Sequence, residues 1–214
     1  GCKQYERGLK PTGILHDYGE DDRMMFGLLS GSYANNTQGG VIRKNMASFK
    51  DEVNSQTGQF TDTVGIVKTI DRLRVVGLGG SFTYSVDCGT SSPNRGWVNN
   101  KPINNGECLM WGNPIAEMMY EALRYFDGAG SPRTEYNYTS TTAKDAVAPL
   151  NLPKPSWNRP YTNGGADGKG FLRCATPVMT VISDINPSYD GDLPGSKFNT
   201  AFSGASDPEN VRGL

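Results

Sequence analysis

An α/β fold, with a mainly parallel sheet flanked by helices and carrying long loop insertions, is predicted from three observations. Two continuous apolar runs, Met24-Met25-Phe26-Gly27-Leu28-Leu29 and Val178-Met179-Thr180-Val181-Ile182, have the length and bounding turn residues of strands covered on both faces. Residues 114–126 carry an apolar stripe at helical spacing. Strand-like and helix-like segments alternate along the chain, which is the order that builds a parallel sheet.

In chain order, a short helix is expected over Thr12–Tyr18, the first strand at 24–29, and a lesser strand at Val41-Ile42. A helix over 62–74 would turn Ile66, Val67, Ile70 and Leu73 inward and Lys68, Asp71, Arg72 and Arg74 outward, ending at Gly77-Leu78-Gly79-Gly80. The segment PIAEMMYEALRYF at 114–126 places Ile115, Met118, Met119, Ala122, Leu123 and Phe126 on one face. Asn113 is positioned to cap its start, Pro114 suits the first helical position, and Gly128 can end it in a left-handed conformation. Two long stretches, about 78–107 and 128–173, are rich in Gly, Pro, Asn, Ser and Tyr, and 194–214 reads as a polar tail. Long loops on a rigid scaffold are common places for recognition. No internal repeat is visible.

The 214 residues are 36% hydrophobic and 20% charged, a globular composition long enough for a sizeable core. The 27 Gly and 13 Pro gather between the apolar segments. With 21 basic against 22 acidic residues and no basic run, nothing favours a nucleic-acid surface. No apolar stretch is long enough to span a membrane. The chain starts at Gly1-Cys2 with neither Met nor a signal peptide, the form expected of a mature protein or a piece of a longer one.

Cys2, Cys88, Cys108 and Cys174 lack C-x-x-C spacing, and His16 is the single histidine, so a zinc site is not expected. Four cysteines allow three pairings. The preferred one closes the Gly-, Asn- and Ser-rich loop between Cys88 and Cys108, a link contributing about 3 kcal/mol, and leaves Cys2 with Cys174. The competing reading is four reduced, buried thiols. The loop-rich composition favours an oxidising compartment outside the cytoplasm.

Chemistry concentrates after the second apolar run. Asp184, Asn186, Ser188, Asp190 and Asp192 alternate strictly, so hard oxygen donors could converge on Ca²⁺ or Mg²⁺. Tyr189 stands where an EF-hand needs Gly, and a solvated acidic turn is the competing reading. A second acidic cluster, Asp17–Asp22, reads as a solvated turn ending a short helix. There is no nucleophile elbow and no His-Glu-x-x-His helix, and His16-Asp17 alone do not make a catalytic apparatus. The Gly77-x-Gly79-Gly80 run follows a helix rather than a strand, a poor setting for a dinucleotide loop. Paired carboxylates for glycoside cleavage leave no sequence signature, because their pairing is spatial. Loop Tyr, Trp and Asn residues could bind sugar or protein, or simply anchor their loops.

Five segments together resemble PilY-type proteins, tip-associated adhesins and assembly factors of bacterial type IV pili. They are CKQY at 2–5, KPTGILHDYGEDDRMMFGLLSGSY at 10–33, GGVIRKNMASFKDEVN at 39–54, GECLMWGNPIAEMMYEALRYFDG at 106–128 and CATPVMTVISDINPSYDGDLPGS at 174–196. The resemblance covers about half of the chain, in order. It implies a single von Willebrand factor A-like domain over 1–214, incomplete and Rossmann-like. Asp184 would be the metal-site aspartate, with Asn113 where the family has Thr and Ile185 where it has Gly. The Asp-x-Ser-x-Ser motif that supplies most metal ligands is absent from the chain. With the alternating acidic residues, the candidate ligands are Asp184, Asn113, Asp190 and Asp192. The resemblance further implies a non-enzymatic module in pilus biogenesis and surface adhesion, extracellular at the pilus tip after export through the periplasm. Minor pilins and host or abiotic surfaces would be its partners. The alternative is a secreted hydrolase or carbohydrate-binding domain using the aromatic and Asn-rich loops.

Overall fold

The computed structural model describes residues 1–77, 103–161, 170–171, 174–183, 186–190 and 193. An antiparallel hairpin opens the chain, β1 (Cys2–Tyr5) against β2 (Gly8–Pro11), with Cys2 opposite Pro11 and Tyr5 opposite Gly8. Helix α1 (Ile14–Gly19) follows, and then a second hairpin. In that hairpin β3 (Phe26–Ser30) pairs antiparallel with β4 (Val41–Ala47), the register running from Phe26 opposite Ala47 to Ser30 opposite Val41 with irregularities on either side of Leu28. Helices α2 (Ile66–Arg72) and α3 (Ile115–Asp127) complete the main elements, and 3₁₀ turns lie at Lys50–Glu52 and Lys144–Ala146.

This arrangement overturns the expected parallel, von Willebrand factor A-like sheet: the described strands form two separate two-stranded antiparallel sheets. The reason is connectivity. Residues 31–40, the whole link between β3 and β4, are too few for the crossover helix that a parallel pair requires. Helices α2 and α3, which pack on that hairpin, both come after it in the chain. The run Val178–Ile182, read as a second buried strand, is exposed and forms no strand among the described residues. The strand glimpsed at Val41-Ile42 is instead the longest of the four.

Among the described residues, two small clusters make the apolar core. Phe49, Val53 and Ile66 gather Leu15, Phe26, Leu28 and Val67 between the second hairpin and α2, while Tyr33, Leu150 and Leu152 gather Val76 and Leu109. Helix α2 is shorter than expected because residues 61–63 are engaged elsewhere. The Thr61 and Thr63 hydroxyls donate to the Asp51 carbonyl at 2.7 and 2.9 Å, and Thr61 N–H donates to the Glu52 carbonyl at 3.0 Å. Its start is held by the buried Glu52 carboxylate, which accepts from Val67 N–H at 2.9 Å. A Cβ on Gly65 would lie 2.1 Å from a Glu52 carboxylate oxygen, so only glycine admits this approach. Ile70 and Leu73, expected inward, are exposed.

Helix α3 forms where its periodicity and Gly128 place it. Gly128 takes φ 95°, and Ala129 N–H returns to the Arg124 carbonyl at 2.9 Å. Its orientation reverses the sequence expectation. The buried side chains are Glu117, Tyr120, Glu121 and Tyr125, while Met119 and Leu123 of the apolar stripe are 38% and 49% exposed. The polar face is buried against hydrogen-bond partners. Glu117 accepts from Gly39 N–H at 2.6 Å, and Glu121 meets Arg124 at 2.7 Å and Arg133 N–H at 3.2 Å. Tyr125 Oη accepts from Met46 N–H at 2.8 Å and donates to Asn158. Burial pushes the Tyr125 phenol up to about 12, so that donor keeps its proton at any ordinary pH.

Candidate functional site

The residues singled out for cation binding meet, in part, at the head of α3. Asn113 N–H donates to Ser188 Oγ at 3.0 Å, and Ser188 N–H returns to the Asn113 carbonyl at 2.9 Å. The Asn113 amide Nδ2 donates to Ser183 Oγ at 3.0 Å and to the Asn186 carbonyl at 3.3 Å. Asp190 Oδ1 accepts from the N–H groups of Ala116 and Glu117 at 3.0 and 3.2 Å. Asn113 is therefore not the cap of α3. Pro114 occupies the N-cap position without a side-chain cap bond, and a carboxylate from 74 residues downstream does that work.

A carboxylate aimed at the first-turn amides of a helix is stabilised by two charge-assisted bonds and by the helix dipole. The arrangement spends Asp190 Oδ1 and the Asn113 amide hydrogens on joining segment 183–190 to α3. Asp184 and Asp192 lie outside the described residues. Among the described residues no group of three or more His, Cys, Asp or Glu side chains is placed to hold a metal ion.

Cys2 and Cys174 are exposed free thiols, which corrects the expected bond between them. Cys2 begins a peripheral hairpin, and neither residue is buried against an element that would hold the two sulfurs together. Cys108 is buried and disulfide-bonded to a residue outside the described set, and Cys88 also lies outside it. His16 is buried, bonded through Nε2 to the Gly58 carbonyl at 3.2 Å, with its ring tilted against Phe60 at 4.9 Å between centroids. The acidic cluster at Asp17–Asp22 is more than a solvated turn. Glu20 engages Lys3 and Tyr5, and Asp22 engages Lys50 and Ser48.

Most of loop 78–107 and the tail 194–214 lie outside the described residues. The described part of the other loop, 128–161, is built inward. Tyr136 and Tyr138 are buried, so they anchor the loop rather than offer stacking faces. Its fixed point is an Arg43–Asp145 ion pair with both side chains wholly buried. Arg43 also donates to Ser30 Oγ at 2.9 Å, to the carbonyls of Gly31 and Pro153 at 3.1 and 3.2 Å, and to Tyr138 Oη at 3.2 Å. Asp145 accepts from Ala34 N–H at 2.8 Å and Ser32 Oγ at 3.2 Å. Sequence reading missed this network. Its one local trace is a charged residue directly after the apolar pair Val41-Ile42. A small pocket of about 220 Å³ beside it is lined by Asn137, Lys154 and Trp157.

The larger concavity is an apolar groove of about 710 Å³ between the second hairpin, the apolar stripe of α3 and residues 178–183. Among the described residues no helix is long and apolar enough to cross a membrane.

Comparison with known proteins agrees with the resemblance read from the five segments. A Xylella fastidiosa protein, "Type IV pilus biogenesis factor PilY1 homolog", is 48% identical over 224 aligned positions covering the whole chain. The chain spans 14% of that relative's length. No solved structure matches it. The family described as "PilY1 homolog, second domain" matches residues 26–214, and with these two agreements the chain belongs to the PilY1 homolog family.

Proposed function

We propose that the chain is a non-catalytic module of a type IV pilus-associated protein, acting in pilus biogenesis and surface attachment. The observation that carries this reading is 48% identity, sustained along the whole chain, to a protein named as a type IV pilus biogenesis factor. Two structural features are in keeping with it. The acidic and amide groups after Val178–Ile182 serve to join chain segments, and the described loop is locked by a buried ion pair, as suits a module that bears load. On this reading the protein works outside the cell at the pilus tip, with minor pilins and host or abiotic surfaces as partners.

The test is a segment exchange in the Xylella relative. The aligned segment is deleted, or replaced by this chain, and surface pili and attachment to glass are measured. Deletion is expected to reduce both at least tenfold, and the exchanged chain to restore them. Normal piliation and attachment after deletion would overturn the proposal.

A further inference from the structure

The pocket of about 220 Å³ lies between the start of β4 and loop 128–161. Among the described residues, Lys154 is the one charged side chain that lines it. Its ammonium donates to Asn137 Oδ1 at 3.0 Å and to the Tyr138 carbonyl, and it sits over the Tyr138 ring, 4.3 Å from the centroid. An ammonium carries three N–H donors, and these two partners leave one for a ligand. Both acceptors are neutral. Burial, and then the charge of Arg43, lower the pKa of Lys154 against the pull of Asp145, whose carboxylate is itself bonded to Arg43. The pocket therefore holds a cation that no carboxylate in its lining neutralises. A second cation stands at its lip. A Cβ built on Gly130 would lie 3.4 Å from Arg159 Nη2, and Arg159 makes no ion pair among the described residues.

The rest of the lining suits a ring rather than a bare anion. Trp157 meets Tyr125 at right angles, 5.6 Å between ring centroids, and the Arg124 guanidinium lies 5.8 Å from its own centroid. Its indole is thus held in place before any ligand arrives. Pro132 and Pro155 add apolar surface, while Ser131, Ser156 and the Asn137 amide can exchange hydrogen bonds with hydroxyls. The volume is below the roughly 300–1,000 Å³ of a drug-sized site, which leaves room for about one six-membered ring with its substituents. Phosphate or acetate would meet Lys154 and leave Trp157 and the prolines uncovered. A neutral hexose would cover them and leave the ammonium without a counter-charge. A carboxylated sugar answers both.

We infer that this pocket binds a single hexuronic acid unit. The carboxylate lies on Lys154 and Arg159, the pyranose ring packs on Trp157, and the hydroxyls meet Ser131, Asn137 and Ser156.

The test is a titration of the isotope-labelled 214-residue protein, followed by amide and indole N–H resonances. The probes are the methyl glycosides of glucuronic, galacturonic and mannuronic acid, with methyl glucoside and acetate beside them. At least one uronide is expected to give saturable shifts at the Gly130, Ser131 and Ser156 amides and at the Trp157 indole. The glucoside and acetate should each bind about tenfold more weakly or worse, and Lys154→Gln should weaken the uronide about tenfold. Arg159→Gln breaks no contact among the described residues and should weaken it about threefold, which keeps the inference testable if Lys154→Gln loosens the loop. Three results would overturn the inference. They are no saturable shift there with any uronide, glucoside or acetate binding as tightly as the best uronide, or unchanged affinity in either folded variant.

Discussion

Arg43 and Asp145 carry the largest single-residue consequence in the molecule. Each is wholly buried, so removing one leaves an uncompensated charge in a water-free site. Asp145→Ala is expected to cost about 3–5 kcal/mol, read as loss of midpoint in urea unfolding, while replacing both residues with apolar side chains should recover much of that. Glu121 offers a test with a sign. Burial raises its carboxyl above the usual range, against the opposing pull of Arg124, so between the unfolded and folded values the native state holds the extra proton. Stability from this group is therefore fully present below the unfolded value and lost as pH rises through the folded one. Glu121→Gln removes that dependence. The melting temperature of the parent relative to the variant should rise as pH is lowered from 7 toward 4, and a constant difference would contradict the assignment.

At the scale of elements, α2 and α3 share a device: each is started by a carboxylate from a distant segment, Glu52 for α2 and Asp190 for α3. The local sequence offered Asn113, and Pro114 displaced it, because Asn113 N–H donates to Ser188 Oγ while its carbonyl accepts from Ser188 N–H. Asp190→Ala should cost about 1 kcal/mol, or roughly 2–4 °C in melting temperature. It should also raise exchange at the Ala116 and Glu117 amides. Asp190→Asn keeps an acceptor and should lose less, the remainder being the charge–dipole contribution. Helix α3 was legible in its extent, since periodicity and Gly128 are local signals. Its facing was not legible. An apolar stripe goes inward only if the rest of the fold offers it cover, and here Gly39, Arg124 and Arg133 satisfy the opposite face instead.

At the scale of the whole molecule, the described residues are held by two small apolar clusters, buried polar links and a disulfide at Cys108. Alkylation of the native protein should label Cys2 and Cys174 and spare Cys108 until a reductant is added, as peptide mass mapping would show. Labelling of Cys108 without reductant would contradict the structure. The described part of loop 128–161 owes its shape to tyrosines and to Asp145, whose partners lie more than a hundred residues away in the chain. A polar, Gly- and Tyr-rich composition therefore concealed an inward-built segment.

The sequence by itself determined the apolar runs, the extent of α3, the left-handed end at Gly128 and the family, because each rests on local spacing or on shared order of segments. The tertiary structure alone decided the pairing of strands, the outward turn of the α3 stripe and of Val178–Ile182, the buried Arg43–Asp145 pair and the cap at Asp190. These depend on which surfaces meet. Burial and pairing are settled by the free energy of the assembled chain, in which an ion pair or a strand edge gains a partner only after distant segments have been brought together.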